Sequence, residues 1–284
     1  MLSIENVSAG YSHDKLVLKN VTMKVAPGEF IGLIGPNGCG KTTLLRVISG
    51  VLPAQEGQVL VHGTGVREIS RRKLARTLAC LLQDLALNLP FTVGELTLMG
   101  RSPHLPKVGR ETEKDFEIAA QAMARADVAH LRDRPITEIS GGERQRAFIA
   151  MCLAQEPKVL LLDEPTSHLD IGHQLAMLDL IRELNRQTGM TVVAVFHDLN
   201  LAAEYCQRLL VLNDGQLEAL GEPGDVLTED MIRRVYGVNV RTENNPVSGR
   251  PHVVISAGMN HSGGKKTNTN GFRKSNQFSV VSNQ

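Results

Sequence analysis

The chain has 284 residues, 42% apolar and 21% charged. These proportions exclude a disordered or fibrous protein, and at roughly 150 residues per domain they suggest two domains or one with a large insertion. Its 31 Lys and Arg nearly cancel 30 Asp and Glu, so no global field draws it onto a polyanion and nucleic acid is not an expected partner.

The four cysteines, Cys39, Cys80, Cys152 and Cys206, form no CxxC pair, and no amino-terminal run resembles a secretion signal. A reduced cytosolic setting is expected. Nowhere do about 18 apolar residues run together, so any membrane role comes through a partner.

Short β-branched or Leu-rich runs alternate with helical patterns, the signature of strand–helix crossovers building a mainly parallel sheet. In chain order, strands are expected over 3–7, 16–25 and 30–34, a helix over 43–49, and strands over 57–61 and 78–82. Between Gln83 and Ile139 strand-like runs vanish. Helical composition over 91–100 and 113–126, flanked by Pro103, Pro106 and Pro135, reads as an inserted helical lobe. Strands resume over 159–162, 191–196 and 208–212. The first two of these are apolar on both faces, as central parallel strands must be. The early and late runs, divided by Pro27-Gly28 and Asp214-Gly215, read as antiparallel or peripheral. Residues 257–284, rich in Gly, Ser, Asn, Thr and Lys, read as a disordered tail whose basic cluster of Lys265, Lys266, Arg273 and Lys274 is solvated.

Gly35-Pro36-Asn37-Gly38-Cys39-Gly40-Lys41-Thr42, followed by Thr43, satisfies G-x-x-x-x-G-K-[ST] between an apolar strand and a helix. Glycines let successive N–H groups converge on phosphate oxygens, and the following helix adds a positive end of about half an elementary charge. Lys41 is expected to reach the β- and γ-phosphates and the Thr42 hydroxyl to ligate Mg²⁺. The Cys39 thiol, placed beside bound phosphate, is expected to be alkylation-sensitive and protected by ATP. The fold class that follows is α/β: a P-loop nucleoside-triphosphatase core with a mainly parallel sheet, an antiparallel β subdomain and an inserted helical subdomain.

The apolar run 159–162 ends in Asp163-Glu164, two carboxylates at the edge of a buried sheet where ligands sit in open α/β folds. Asp163 is expected to hold Mg²⁺ and Glu164 to orient or deprotonate an attacking water. His197 follows the next apolar strand and arrives at the same edge, where an imidazole can hydrogen-bond a γ-phosphate. Ser140-Gly141-Gly142-Glu143 reads as a second Gly-rich helix start, an anion site or an ordinary capping box.

That Ser-Gly-Gly-Glu, followed by Arg144-Gln145-Arg146, by Leu-Leu-Leu-Asp-Glu-Pro and by Ser167-His168-Leu169-Asp170, resembles the ATP-binding-cassette ATPases. The likeness covers about residues 1–240. It implies that Tyr11 stacks on adenine and that Gln83 contacts Mg²⁺ or water and links the nucleotide to the helical lobe. It also implies that Ser140, Gly141, Gly142 and Glu143 close on ATP held by a second copy, that Asp170 crosses between subunits and that His197 is the switch histidine. It further implies a head-to-tail homodimer sandwiching two ATP molecules and an organisation with a cassette over 1–256, including a helical subdomain over about 84–139 and a signature helix over 140–156. Thr92-Val93-Gly94-Glu95-Leu96, Gly100-Arg101-Ser102-Pro103-His104, Gly221-Glu222-Pro223 and Val235-Tyr236-Gly237 resemble the energising subunits of bacterial iron-siderophore, haem and cobalamin importers. The implied partners are an integral membrane permease and, through it, a substrate-binding protein, with the chain peripheral on the cytoplasmic face of the membrane and permease docking expected at those stretches. The competing readings are an exporter cassette, a soluble cassette ATPase and a P-loop kinase or GTPase.

Overall fold

Apolar side chains alternate across one central sheet and feed a separate core on each face. The structure is a computed structural model that describes residues 1–12, 15–82, 91–106 and 109–255. The chain runs β1 (Leu2–Ala9), β2 (Leu18–Val25), β3 (Phe30–Ile34), α1 (Lys41–Ile48), β4 (Glu56–Val61), β5 (Thr64–Gly65), α2 (Arg71–Ala75) and β6 (Leu78–Leu81). Three helices follow, α3 (Val93–Met99), α4 (Glu113–Arg125) and α5 (Gly141–Ala154). The second half adds β7 (Val159–Leu162), α6 (Ile171–Thr188), β8 (Thr191–Val195), α7 (Leu199–Tyr205), β9 (Arg208–Asn213) and β10 (Gln216–Gly221). It closes with α8 (Pro223–Val226), α9 (Glu229–Tyr236), β11 (Arg241–Asn244) and β12 (Pro251–Val254).

The central sheet has the order β10-β9-β3-β8-β7-β6, parallel except for the β9–β10 hairpin. In β7, Val159 and Leu161 enter one core while Leu160 and Leu162 enter the other; β8 divides the same way between Val193 and Val195 and Val192 and Ala194. Each fully buried Leu or Val contributes about 2 kcal/mol of transfer free energy, and all nine residues of β7 and β8 are buried. One core is closed by α1 and an antiparallel sheet of order β2-β1-β4-β5; on the other side Val93, Leu96, Met123 and Phe148 bring α3, α4 and α5 onto the sheet.

The expected strands are present with small shifts. The second begins at Leu18, because Lys15 bridges back to Ser12 and leaves Leu16 exposed. Asp214 and Gly215, at φ 46 and 79, turn β9 into β10, so the late run is antiparallel as read. From 91 to 139 the described residues contain helices and one isolated bridge. The expectation for the tail over 257–284 lies outside the described residues.

The Gly100–His104 stretch is internal bracing, which corrects its reading as a docking surface. Gly100 packs so tightly on α5 that a Cβ would stand 2.1 Å from the Met151 carbonyl oxygen. Arg101, 4% exposed, donates to Asp115 (3.0 Å), to the Ala154 carbonyl (2.7 Å) and to Glu156 (2.7 Å). Pro103 O accepts from Arg72 and Arg76, and a ring nitrogen of His104 pairs with Gln155 O. The Thr112 backbone N–H, then its hydroxyl, with Arg101 adding to them, pull the Asp115 carboxyl down from 3.8 to about 2.

Arg101→Ala leaves a buried carboxylate without its cation and is expected to lower stability by about 3–5 kcal/mol in denaturant unfolding. Because the folded pKa of Asp115 is depressed, its contribution is present above about pH 4 and lost as pH falls toward 2; acid titration of Asp115→Asn is expected to show a flatter loss of stability over that window.

Candidate active site

The cradle begins where β3 ends. Gly35 has φ 147, and a Cβ there would stand 2.1 Å from the Leu212 carbonyl oxygen, so the chain turns hard against β9 at this point. Gly40 is the N-cap of α1 at φ 108, with no side-chain cap and no acidic residue in the first turn. In contrast, α3, α5 and α6 each have a side chain bonded to the N-terminal amides. The first-turn N–H groups of α1 therefore converge under Pro36, Asn37 and Gly38 with a positive helix end behind them. Lys41, 6% exposed, directs two of its three donors to Gly35 O (2.8 Å) and Pro36 O (3.0 Å), which holds the ammonium inside the loop.

Beside the cradle, the Tyr11 ring is 59% exposed while its hydroxyl is fixed, sharing a hydrogen bond with the Thr43 hydroxyl (3.2 Å) and accepting from Arg46 (2.9 Å). The ring stands at the rim of α1 with the Arg46 guanidinium over it, 5.8 Å from its centroid. Arg46, in the second turn of the helix, was not singled out in the sequence; an Arg three residues after Thr43 on the same face is the signal that points to it.

Cys39 corrects the expectation of a reactive thiol. Its backbone belongs to the loop, but its side chain is 4% exposed and lies in the core beneath the antiparallel sheet, and burial pushes the thiol upward in pKa. The loop turns the side chain inward, and the Cys39 N–H donates to Pro36 O (3.3 Å) within the loop.

Parallel strands β7 and β8 deliver the acid pair and the histidine to the same edge. Asp163 is 3% exposed, and among the described residues neither of its carboxylate oxygens has a hydrogen-bond partner. Burial raises its pKa, partly offset by the Thr42 hydroxyl, which is near enough to act electrostatically. An ionised carboxylate buried in this way costs several kcal/mol unless a cation or a proton joins it. Glu164 takes the left-handed φ of 52, rare for a residue with a Cβ and typical of strained functional positions. Its Oε1 meets His197 Nε2 in a short contact, so the histidine fixes the carboxylate's direction.

No three His, Cys, Asp or Glu side chains converge to hold a metal among the described residues. One buried carboxylate facing a hydroxyl is instead the donor set Mg²⁺ takes when it comes with phosphates and keeps several waters. Asp163 and Thr42 fit that ion on the strength of the orphaned oxygens. Gln83, expected as a further ligand, lies outside the described residues.

Of the two readings the sequence allowed for Ser140, the structure shows the capping box. The residue caps α5, accepting from Glu143 N–H (3.3 Å) while Glu143 accepts from Ser140 N–H (2.8 Å), and the adjoining Gly141 is exposed, with space enough that a Cβ there would meet no atom within 4 Å. Gly142 is buried under the His173 ring, whose Cδ2 would stand 2.8 Å from a Cβ. His173 in turn pairs through Nδ1 with Asp170 Oδ2 (2.7 Å), and its N–H donates to Asp170 Oδ1 (2.9 Å). The signature turn and the Asp170 loop are thereby joined. His173 was missed in the sequence, although an N-cap Asp followed three residues later by a polar side chain is a recognisable capping pattern.

The ABC transporter family pattern matches residues 18–167. The chain is 41% identical over 250 residues to the ferric enterobactin transport ATP-binding protein FepC of Escherichia coli, covering 88% of this chain and 92% of that one. It is 41% identical to the petrobactin import ATP-binding protein FpuC of Bacillus anthracis (84% and 88% covered) and 42% identical to the hemin import ATP-binding protein HmuV of Pseudomonas aeruginosa (89% and 99%). Among solved structures it resembles a metal-chelate type ABC transporter in an inward-facing conformation, with TM-score 0.78 at 29% identity (89% and 96% covered). A bacterial ABC transporter cassette solved as a dimer gives TM-score 0.68 at 27% identity (78% and 99%).

Brief treatment of the native protein with N-ethylmaleimide is expected to leave Cys39, Cys152 and Cys206 unmodified on peptide mass mapping, with or without nucleotide, because all three are buried. Rapid labelling of Cys39 that nucleotide prevents would instead put its thiol in the cradle.

Proposed function

The chain belongs to the ABC transporter family as an ATP-hydrolysing cassette, and we propose that it energises import of a metal chelate of the siderophore, haem or cobalamin class through separate membrane-spanning subunits. The observation that carries the catalytic reading is the edge of the sheet: a partnerless buried Asp163, and Glu164 held by His197, both beside the cradle after β3. The import class rests on the relatives' names and on their coverage along most of this chain. No helix among the described residues is long and apolar enough to cross a membrane; in this reading the cassette is peripheral on the cytoplasmic side of its permease.

In this reading Tyr11 offers its ring to adenine, and the amides from Gly38 to Thr43 with Lys41 bind the β- and γ-phosphates. Asp163 and Thr42, with Gln83, would hold Mg²⁺, which would supply positive charge to the phosphates. Glu164 orients a water and accepts its proton at the carboxylate. The water oxygen bonds to the γ-phosphorus as the bond from that phosphorus to the β–γ bridging oxygen breaks, leaving ADP and phosphate. His197 keeps Glu164 aligned and donates toward the γ-phosphate.

Ser140 to Glu143 and Asp170 act on the nucleotide of a second copy in a head-to-tail dimer. The exposure of Ser140 and Gly141 supports this, as does the similarity to a cassette solved as a dimer. ATP closes the pair because its γ-phosphate reaches both copies and ADP's phosphates do not, a difference in affinity that hydrolysis then releases.

Glu164→Gln keeps the shape and loses the proton acceptor. It is expected to bind ATP normally, to turn over about 100-fold or more slowly, and to elute as a dimer with Mg²⁺ and ATP but not with ADP. A variant that stays monomeric in ATP and hydrolyses at the parental rate would overturn both the role and the dimer. Co-purification from native membranes with a permease and a substrate-binding protein would support import; co-purification with an export permease alone would overturn it.

A further inference from the structure

The carboxyl-terminal hairpin of β11 and β12 lies outside the residues that the family pattern matches, yet it grips the helix that follows His197 at both ends. Near the start of α7, Asn200 donates through Nδ2 to Val253 O (3.2 Å) and accepts at Oδ1 from Val253 N–H (2.7 Å), a two-point bond to the backbone of β12. At the other end Arg250 donates to Ala203 O (3.1 Å) and Cys206 O (2.9 Å). Those are last-turn carbonyls, which have no intrahelical partner and carry the negative end of the helix dipole. Ser248 adds a bond to Glu204 (2.8 Å), and Val253 is buried in the same core as Ala202 and Ala203.

The seven residues of α7 fall well short of the roughly 12–15 that a helix needs to persist unaided, so its position is set by what holds it. His197 immediately precedes its N-cap, Asp198, whose carboxylate accepts from Asn200 and Leu201 N–H. Any displacement of α7 therefore passes to the His197 backbone within one residue. We propose that the hairpin is a clamp that aims His197, with Arg250 and Asn200 as positioning residues for ATP hydrolysis. The inference rests on the catalytic reading of His197 given above.

The test measures single-turnover hydrolysis, with protein in excess over Mg²⁺·ATP, in five full-length proteins: the parent, Arg250→Ala, Arg250→Lys, His197→Ala and the Arg250→Ala/His197→Ala double variant. A shift of the ring by well under 1 Å is expected to slow Arg250→Ala about tenfold while the ATP concentration giving half-maximal rate stays within about twofold. On the His197→Ala background the same change is expected to cost nothing further, whereas Arg250→Lys, which keeps donors at the helix end, recovers part of the rate. An equal loss on both backgrounds, or no loss on the parent, overturns the clamp and leaves the role of His197 standing. Parental rates in His197→Ala overturn the catalytic reading and the clamp with it. Should Arg250→Ala not melt cooperatively, Asn200→Ala removes the two-point bond at the opposite end and is read in the same comparison on both backgrounds.

Discussion

Strands buried on both faces can carry polar chemistry only where they stop. Nothing polar interrupts β3, β7 or β8 apart from Thr191 at the start of β8. Because the three run parallel, their carboxyl ends share one edge of the sheet. The cradle leaves β3 there, Asp163 and Glu164 leave β7, and His197 follows β8. The site is a consequence of the core: the same apolar burial that stabilises the sheet strips water from Asp163, whose ionised carboxylate is then costly unless a cation or a proton joins it.

Helix ends do the complementary work, and they are treated differently. The helices after Thr92, Ser140 and Asp170 bond first-turn amides with their own side chains, whereas α1 has no side-chain cap. An uncapped positive end belongs where a phosphate is to bind, and self-capped ends belong where a turn must keep its shape until a partner arrives. The His173 ring over Gly142 adds a second reason for glycine in the signature turn, internal to the chain and independent of any nucleotide contact.

Strands with uniform burial and loops with a fixed pattern of glycine were legible in the sequence. So were the places of Asp163, Glu164 and His197, just beyond apolar strands, and of Lys41, at the end of the glycine loop that leaves β3. Three things were not. β11 and β12, four residues each with only Val253 buried, carry little periodicity; side-chain bonds joining Asn200 to Val253 and Arg250 to Cys206, across 53 and 44 residues of chain, hold the hairpin in place. The direction of the Cys39 side chain depends on how the loop turns against Leu212, which no local pattern records. Arg101 read as surface because arginine usually is, and only the meeting of α4 with the end of α5 turns it into a buried tie.

The claim on which the rest depends is that one triphosphate, with its metal ion, is gripped by the cradle of one copy and the signature turn of another. A crystal structure of the wild-type chain with Mn²⁺ and a slowly hydrolysed ATP analogue tests it most directly. The account requires an anomalous Mn²⁺ peak at the Thr42 hydroxyl on the Asp163 side, with Ser140 of a second copy on the γ-phosphate. Nucleotide bound in the cradle with Asp163 facing no ion, or with Ser140 of every neighbouring copy remote from it, would contradict the account.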